Sequence, residues 1–368
     1  MEVSSAQPSK FAAIRGFLAR YRSHLSVASM LAGFASDYML LGSIDLPTTQ
    51  ALLSFYLALA ALGIALLHAA ESSAIQGFLQ RWRNLFPMAI QFALGSLWSG
   101  LLVFYSRTAV FATSWPFLLL LVAFLVGNEL FHHYVSRLVF STTLLFFALI
   151  SLAILIVPIY LHAIGPKVFL LSGGGAVIVF LVYCWILAWI GGERFAPARW
   201  KMLGGGLGVF SVLNIFYFTG VLPPLPLALA ASGVYQQIRK SGPVYLAAGQ
   251  HQPWYTRFGW PQTIYLAPGA PVSVFSSVFA PIALTTRIRH EWEWYSPQKQ
   301  EWIPEASVTF TVSGGRNGGY RGYTTKHDPM NGEWRVDIET EGDRLIGRVQ
   351  FRVEHTGSMP PLEHIVLH

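Results

Sequence analysis

Acidic residues are nearly missing from the first 222 positions. Only 6 of 18 lie there: Glu2, Asp37, Asp45, Glu71, Glu129 and Glu193. Charge of either sign is scarce in the chain as a whole, at 12% of 368 residues, against about 25% in soluble domains. That scarcity excludes an ordinary soluble fold for the first 222 residues. Cysteine is limited to Cys184, inside an apolar run. An intrachain disulfide is therefore excluded, and cysteine usage says nothing of compartment. The first 25 residues have no short apolar core followed by a small-residue cleavage site, so no cleavable signal peptide is expected. Ser–His–Asp ordering, zinc-ligand spacing and a close acidic pair suited to hydrolysis are also missing. No catalytic residue and no cofactor are expected.

The net charge of +7 is unevenly spread. From Tyr235 onward, 13 Lys/Arg face 12 Asp/Glu, while the first part holds 12 basic and 6 acidic residues, mostly in short loops. The strand-rich part is near neutral, which argues against a nucleic-acid partner.

What is present is a series of greasy runs. Seven are long enough to cross a bilayer: about 26–44, 50–69, 86–105, 109–127, 138–160, 168–190 and 202–222. With the N-terminus inside, the inner segments carry Lys10, Arg15, Arg20, Arg22, Arg81, Arg83, Arg137, Arg194, Arg199 and Lys201. The outer loops carry only Arg107 and Lys167. This asymmetry predicts a cytoplasmic N-terminus and an outer C-terminal part, in the periplasm of a bacterial inner-membrane protein. A rival eighth crossing over 221–237 is short and holds three prolines; residues 223–242 are expected instead to form a connector. Residues 1–25 include Phe11, Ile14, Leu18 and Tyr21 at helical spacing, with basic residues largely off that stripe. Such a helix suits the inner-leaflet lipid surface, and a cytosolic cap on the bundle fits equally.

Polar residues inside spans are candidates for function. Asp37 could serve a proton or ion path, or be a hydrated carboxylate near Asp45. Asn214 suits a polar contact between helices. The glycines at 173–175 and 204–208 are expected to allow close helix approach; the second cluster follows no strand, so it is no nucleotide loop. His68 and Glu71 at one helix end, with Glu129, His132 and His133 at another, could hold a divalent metal. Ordinary interfacial polar residues would give the same pattern.

After Gly242 the apolar pattern changes to period two, the signal of half-buried strands. Ile288, His290, Trp292 and Trp294 are expected to face inward, and Arg287, Arg289, Glu291 and Glu293 outward to solvent. Val308, Phe310 and Val312, then Trp334, Val336 and Ile338, then Val349, Phe351 and Val353, form further inward sets, with Arg335, Asp337 and Glu339 outward. Turn signals at Asn331-Gly332 and Glu341-Gly342-Asp343 separate the runs. The expected fold is a seven-helix membrane bundle followed by a compact all-β sandwich over 243–368. His290, facing inward, is expected to be a hydrogen-bonded core histidine rather than a catalytic base.

The stretch from Val272 to Glu354 resembles a bacterial domain-of-unknown-function family. The resemblance rests on His290-Glu291-Trp292, on Gly332-Glu333-Trp334-Arg335-Val336, and on Gly347, Phe351 and Val353 in the last strand. It implies an envelope protein with an extracytoplasmic domain joined to an uncharacterised membrane region, and supplies no catalytic residues.

The glycine-rich stretch 313–326 carries Arg316, Tyr320, Arg321 and Tyr323. As a flexible loop these would suit an anionic or sugar-like ligand; as a plain hairpin tip they would bind nothing. The expected function is a non-enzymatic envelope protein whose β domain binds a protein or glycan. Two alternatives stand beside it: a transporter or channel component using Asp37 and the glycine-rich spans, and a membrane enzyme on lipid-linked substrates at the inner face.

Overall fold

The computed structural model describes residues 37, 39, 41–42, 44, 46–70, 85–108, 111–130, 137–191, 195–223, 226–242, 244–251, 260–281, 284–313, 319–357 and 360–367. Among the described residues six helices come first: α1 Pro47–Ala69, α2 Leu85–Thr108, α3 Phe111–Leu130, α4 Leu138–Leu161, α5 Pro166–Gly191 and α6 Ala196–Phe218. They correspond to six of the seven expected spans. Most of the first expected span, 26–44, lies outside the described residues. Five of them are long and apolar enough to cross a membrane, and α3 is apolar over its described Thr113–Gly127 part. Hence the expected count of seven is not reached among the described residues.

The helices solve the polar problem of an apolar medium internally. Buried hydroxyls return to carbonyls one turn back: Thr142 Oγ1 donates to Leu138 O at 2.7 Å and Ser172 Oγ to Val168 O at 2.8 Å. α2 and α4 are buried along most of their length, whereas α1, α5 and α6 expose large apolar side chains such as Phe55, Ile178, Val182, Leu207 and Ile215. In water such faces would associate; against lipid they are satisfied. Trp189 and Trp200 are exposed beside Arg199 and Lys201, the pairing of aromatic and basic side chains that marks a membrane–water boundary.

The chain divides into two compact units, and the division cuts across the helices. One comprises 1–103, 120–148 and 184–205; the other 104–119, 149–183 and 206–368. Helices α2 to α6 pass from one unit to the other in alternating direction, and every strand belongs to the second.

Eleven strands follow among the described residues: β1 Ala228–Tyr235, β2 Gln237–Ser241, β3 Val244–Gly249, β4 Gln262–Leu266, β5 Val272–Phe279, β6 Thr285–Ser296, β7 Glu301–Ser313, β8 Tyr320–Lys326, β9 Gly332–Thr340, β10 Leu345–His355 and β11 Glu363–Leu367. They form three open sheets, ordered β1-β5-β8, β4-β10-β9-β6-β7 and β11-β3-β2. The all-β expectation holds. The strands are distributed over three layers instead of the two of a simple sandwich, because β5 is buried along both faces. Val272, Val274 and Val278 join the main core with residues of the five-stranded sheet, while Phe275 packs with Tyr235, Ile238 and Ala247 toward the third sheet. The segment 223–242, expected as a connector, carries β1 and β2. β1 pairs antiparallel with β5, so the rival helical crossing over 221–237 is a strand instead.

Candidate functional site

The inner faces of β6, β9 and β10 follow the alternation in the sequence. Ile288, His290 and Trp292, then Trp334, Val336 and Ile338, then Phe351 and Val353, are all at most 1% exposed. His290 is the one titratable group among them. Its Nε2 lies 2.8 Å from Ser276 Oγ and its Nδ1 2.9 Å from Thr324 Oγ1, which also accepts from Trp292 Nε1 at 2.9 Å. Ser276 is on β5 and Thr324 on β8, so this buried chain links the three-stranded sheet to the five-stranded one. Burial lowers the His290 pKa to about 4. A neutral imidazole with both nitrogens engaged and no solvent access is a fastener between sheets rather than a general base.

The outer face is an ion-pair ladder, set by cross-strand register. Arg289 sits opposite Glu339, and Glu293 opposite Arg335. The first pair closes at 2.6 Å, and Arg335 Nε donates to Glu293 while its guanidinium lies over the Trp302 ring. Arg348 makes a two-pronged contact with Asp337, both bonds at 2.6 Å. Glu291, Glu293, Asp337 and Glu339, expected to be solvated, are thus half-buried or buried in pairs. Neighbouring Arg side chains lie across them and exclude water.

The residues that carry the family resemblance have structural tasks. Gly332 has φ +125, a backbone state that L side chains rarely adopt. A Cβ on Gly347 would fall on Leu229 Cδ2, so this glycine lets β1 cross closely over β10. Trp334 fills the core and donates Nε1 to Met330 O at 2.8 Å.

The expected ligand-binding group is only partly a loop. Arg316 lies outside the described residues. Tyr320, Arg321 and Tyr323 belong to β8, paired with Val278, Ser277 and Phe275 of β5. Strand pairing with β5 prevails over the local glycines. Tyr320 is half-buried against the main core. Tyr323 is 38% exposed and packs edge-on with Tyr245, whose hydroxyl donates to Arg321 O at 3.2 Å. Among the described residues, β7 and β8 are terminal strands of different sheets.

The intramembrane candidates separate. Asp37 Oδ2 accepts from Ser99 Oγ at 2.5 Å, and Ser99 is buried on α2. Asn214, expected to bridge helices, donates instead to Phe210 O of its own helix at 2.8 Å. Gly173, Gly205 and Gly206 do meet side chains of other helices, namely Phe210, Thr143 and Phe180. His68 is half-buried near the end of α1. Glu71, His132, His133 and the Glu129 side chain lie outside the described residues. Among the described residues no three His, Cys, Asp or Glu side chains gather to hold a metal ion.

One site went unseen in the sequence. Arg344, after the β9–β10 turn, donates to Tyr217 O at 2.7 Å and Leu222 O at 2.5 Å, and its guanidinium lies 4.1 Å over the Tyr217 ring. Tyr217 in turn stacks on Phe169 at 3.7 Å. All lie in the second unit, beside a cleft of about 640 Å³ walled by Ile154, Pro158 and Phe169 and rimmed by Thr219, Thr340 and Arg344. A cation at a helix C-terminus satisfies orphan carbonyls and complements the helix dipole. The guanidinium is committed to that task. No local motif signals it, because the contact spans 127 positions.

Residues 285–353 match the model of a family described as "Protein of unknown function (DUF2914)". The match runs from β6 to β10. No curated protein matches the chain. Among solved structures, an immunoglobulin-like protein from Pseudomonas aeruginosa is similar at 12% identity, over 35% of this chain and 96% of that one, with a TM-score of 0.23. The alkylpurine DNA glycosylase AlkC of Pseudomonas fluorescens, bound to DNA containing an abasic site analogue, is similar at 8% identity, over 85% and 99%, with a TM-score of 0.21. At TM-scores this low neither likeness bears on fold or function.

Proposed function

We propose that this protein is a non-enzymatic membrane protein of the bacterial envelope that binds a protein or glycan partner through its β region. On this reading it spans the inner membrane seven times, with residues 26–44 as the first span. The N-terminal segment faces the cytoplasm and the β region the periplasm. The charge asymmetry supports the topology. Arg137, Arg199 and Lys201 lie in the expected inner segments, while Arg107 and Lys167 lie in the expected outer loops, as the positive-inside bias requires.

The binding reading is carried by β8, a terminal strand of its sheet. Terminal strands are the basis of recognition by strand addition. Tyr323 exposes 38% of its surface there. A photo-crosslinking residue replacing Tyr323 in the full-length protein, in native membranes, should give a discrete adduct. The same residue at exposed Arg352 should not. Arg316→Ala/Arg321→Ala should reduce the adduct, as should added salt. No adduct at Tyr323 with either protein or glycan would end this reading.

A second reading, transport, is favoured by the Asp37–Ser99 contact, since a carboxylate within a span is a default functional candidate. Loss of an ion flux in reconstituted vesicles on Asp37→Asn would favour it. Unchanged vesicle permeability would dismiss it.

A further inference from the structure

The last seven residues of β7 read Ser307-Val308-Thr309-Phe310-Thr311-Val312-Ser313, the same forwards and backwards. β7 is a terminal strand of the five-stranded sheet, paired with β6 along its whole length on one side and with no strand on the other among the described residues. We propose that two copies of this chain pair antiparallel through residues 307–313, about a two-fold axis at Phe310. The proposal stands on β7 alone and does not depend on the partner reading above.

Two-fold antiparallel pairing sets each residue opposite the one equidistant from the axis. Only a palindrome then gives like opposite like at every position. Here Phe310 meets Phe310, Thr309 meets Thr311, Val308 meets Val312 and Ser307 meets Ser313. Aromatic pairs and Thr–Thr pairs are among the favourable cross-strand combinations. The stretch carries no charge, so the symmetry brings no like charges together.

The pattern of protection along β7 agrees. Natural edge strands are blunted by proline, charge or a bulge. β7 has all three, and all lie in its first half: Glu301, Pro304 and Glu305, with the register shift opposite Trp292/Glu293. Residues 307–313 have none. On the inner face Val312 is fully buried, Phe310 is half-buried over His290, and Val308 is 42% exposed. Pairing sets the exposed Val308 of each copy beside the Val312 of the other, and continues the core across the axis.

The symmetry makes a test that reports register as well as association. In full-length protein in native membranes, with Cys184 replaced by alanine, Phe310→Cys should form a disulfide dimer on mild oxidation. Because Phe310 packs over His290 and its loss could loosen the fold, the exposed positions give a second readout. Thr309→Cys and Thr311→Cys should each link poorly alone but link well when the two proteins are co-expressed. A disulfide needs Cβ atoms about 3.5–4.5 Å apart, whereas diagonal neighbours lie about 7–8 Å apart, so an excess of about ten-fold or more is expected for the mixed pair. Equal linking of single and mixed proteins, or none at all three positions, overturns the proposal. A strand from another protein on this edge would appear as a heterologous adduct in place of the dimer, and would overturn it too.

Discussion

At the scale of single residues, His290 makes folding depend on pH. In the unfolded chain a histidine titrates near 6.5; in the core its pKa is about 4, lowered by burial. Above pH 6.5 the ring is neutral in both states and nothing is lost. Between 6.5 and 4 the unfolded chain takes up a proton that the folded one refuses, so stability falls as pH falls, by on the order of 3 kcal/mol at the limit. Wild type should therefore lose more stability between pH 7.5 and 4.5 than His290→Gln, measured by chemical unfolding. Equal slopes would mean that the folded ring takes up its proton as readily as the unfolded one. Trp334 offers a second check. It is 1% exposed, and Trp334→Ala should cost about 3–5 kcal/mol; a loss under about 1 kcal/mol would put the ring at the surface. Both inward positions were legible in the sequence, since period-two alternation needs only neighbours along one strand. The left-handed backbone at Gly332 was not, because the turn dipeptide named a place and not a conformation.

At the scale of elements, the ladder on β6, β9 and β10 separates buried from exposed ion pairs. Asp337 is 5% exposed and grips Arg348 with two bonds. Asp337→Ala leaves that cation short of its partner and should cost about 3–5 kcal/mol. Arg287 and Glu341 pair in the open, with side chains 63% and 68% exposed, so Arg287→Ala should stay within about 0.5 kcal/mol. Similar losses from both would refute the distinction. Strand phase was readable where alternation was strict. It was not readable at β1, which follows a proline-rich run and is itself largely small and apolar, or at β8, where Gly322 interrupts the alternation between Arg321 and Tyr323. Both strands owe their state to β5, a partner distant in sequence. Helices α1 to α6 were visible for the opposite reason: a spanning helix satisfies its backbone within itself.

At the scale of the whole molecule, the charge asymmetry underlies the proposed topology. A reporter active only outside the cytoplasm, fused after His368, should be active; signal from a cytoplasm-only reporter there would reverse the orientation. The candidate site was the least legible level. Tyr320, Arg321 and Tyr323 lie on a strand instead of a loop, with Tyr320 against the main core and Tyr323 against Tyr245, and Arg344 was invisible. That arginine makes the end of α6 depend on a residue synthesised much later. The carbonyls of Tyr217 and Leu222 leave the ribosome some 120 residues before the side chain that holds them. At about 5–20 residues per second, the end of α6 waits on the order of ten seconds for its partner. Until then the carbonyls at the end of α6 have no guanidinium to accept from, and this terminus is finished only once β9 and the turn after it have been made.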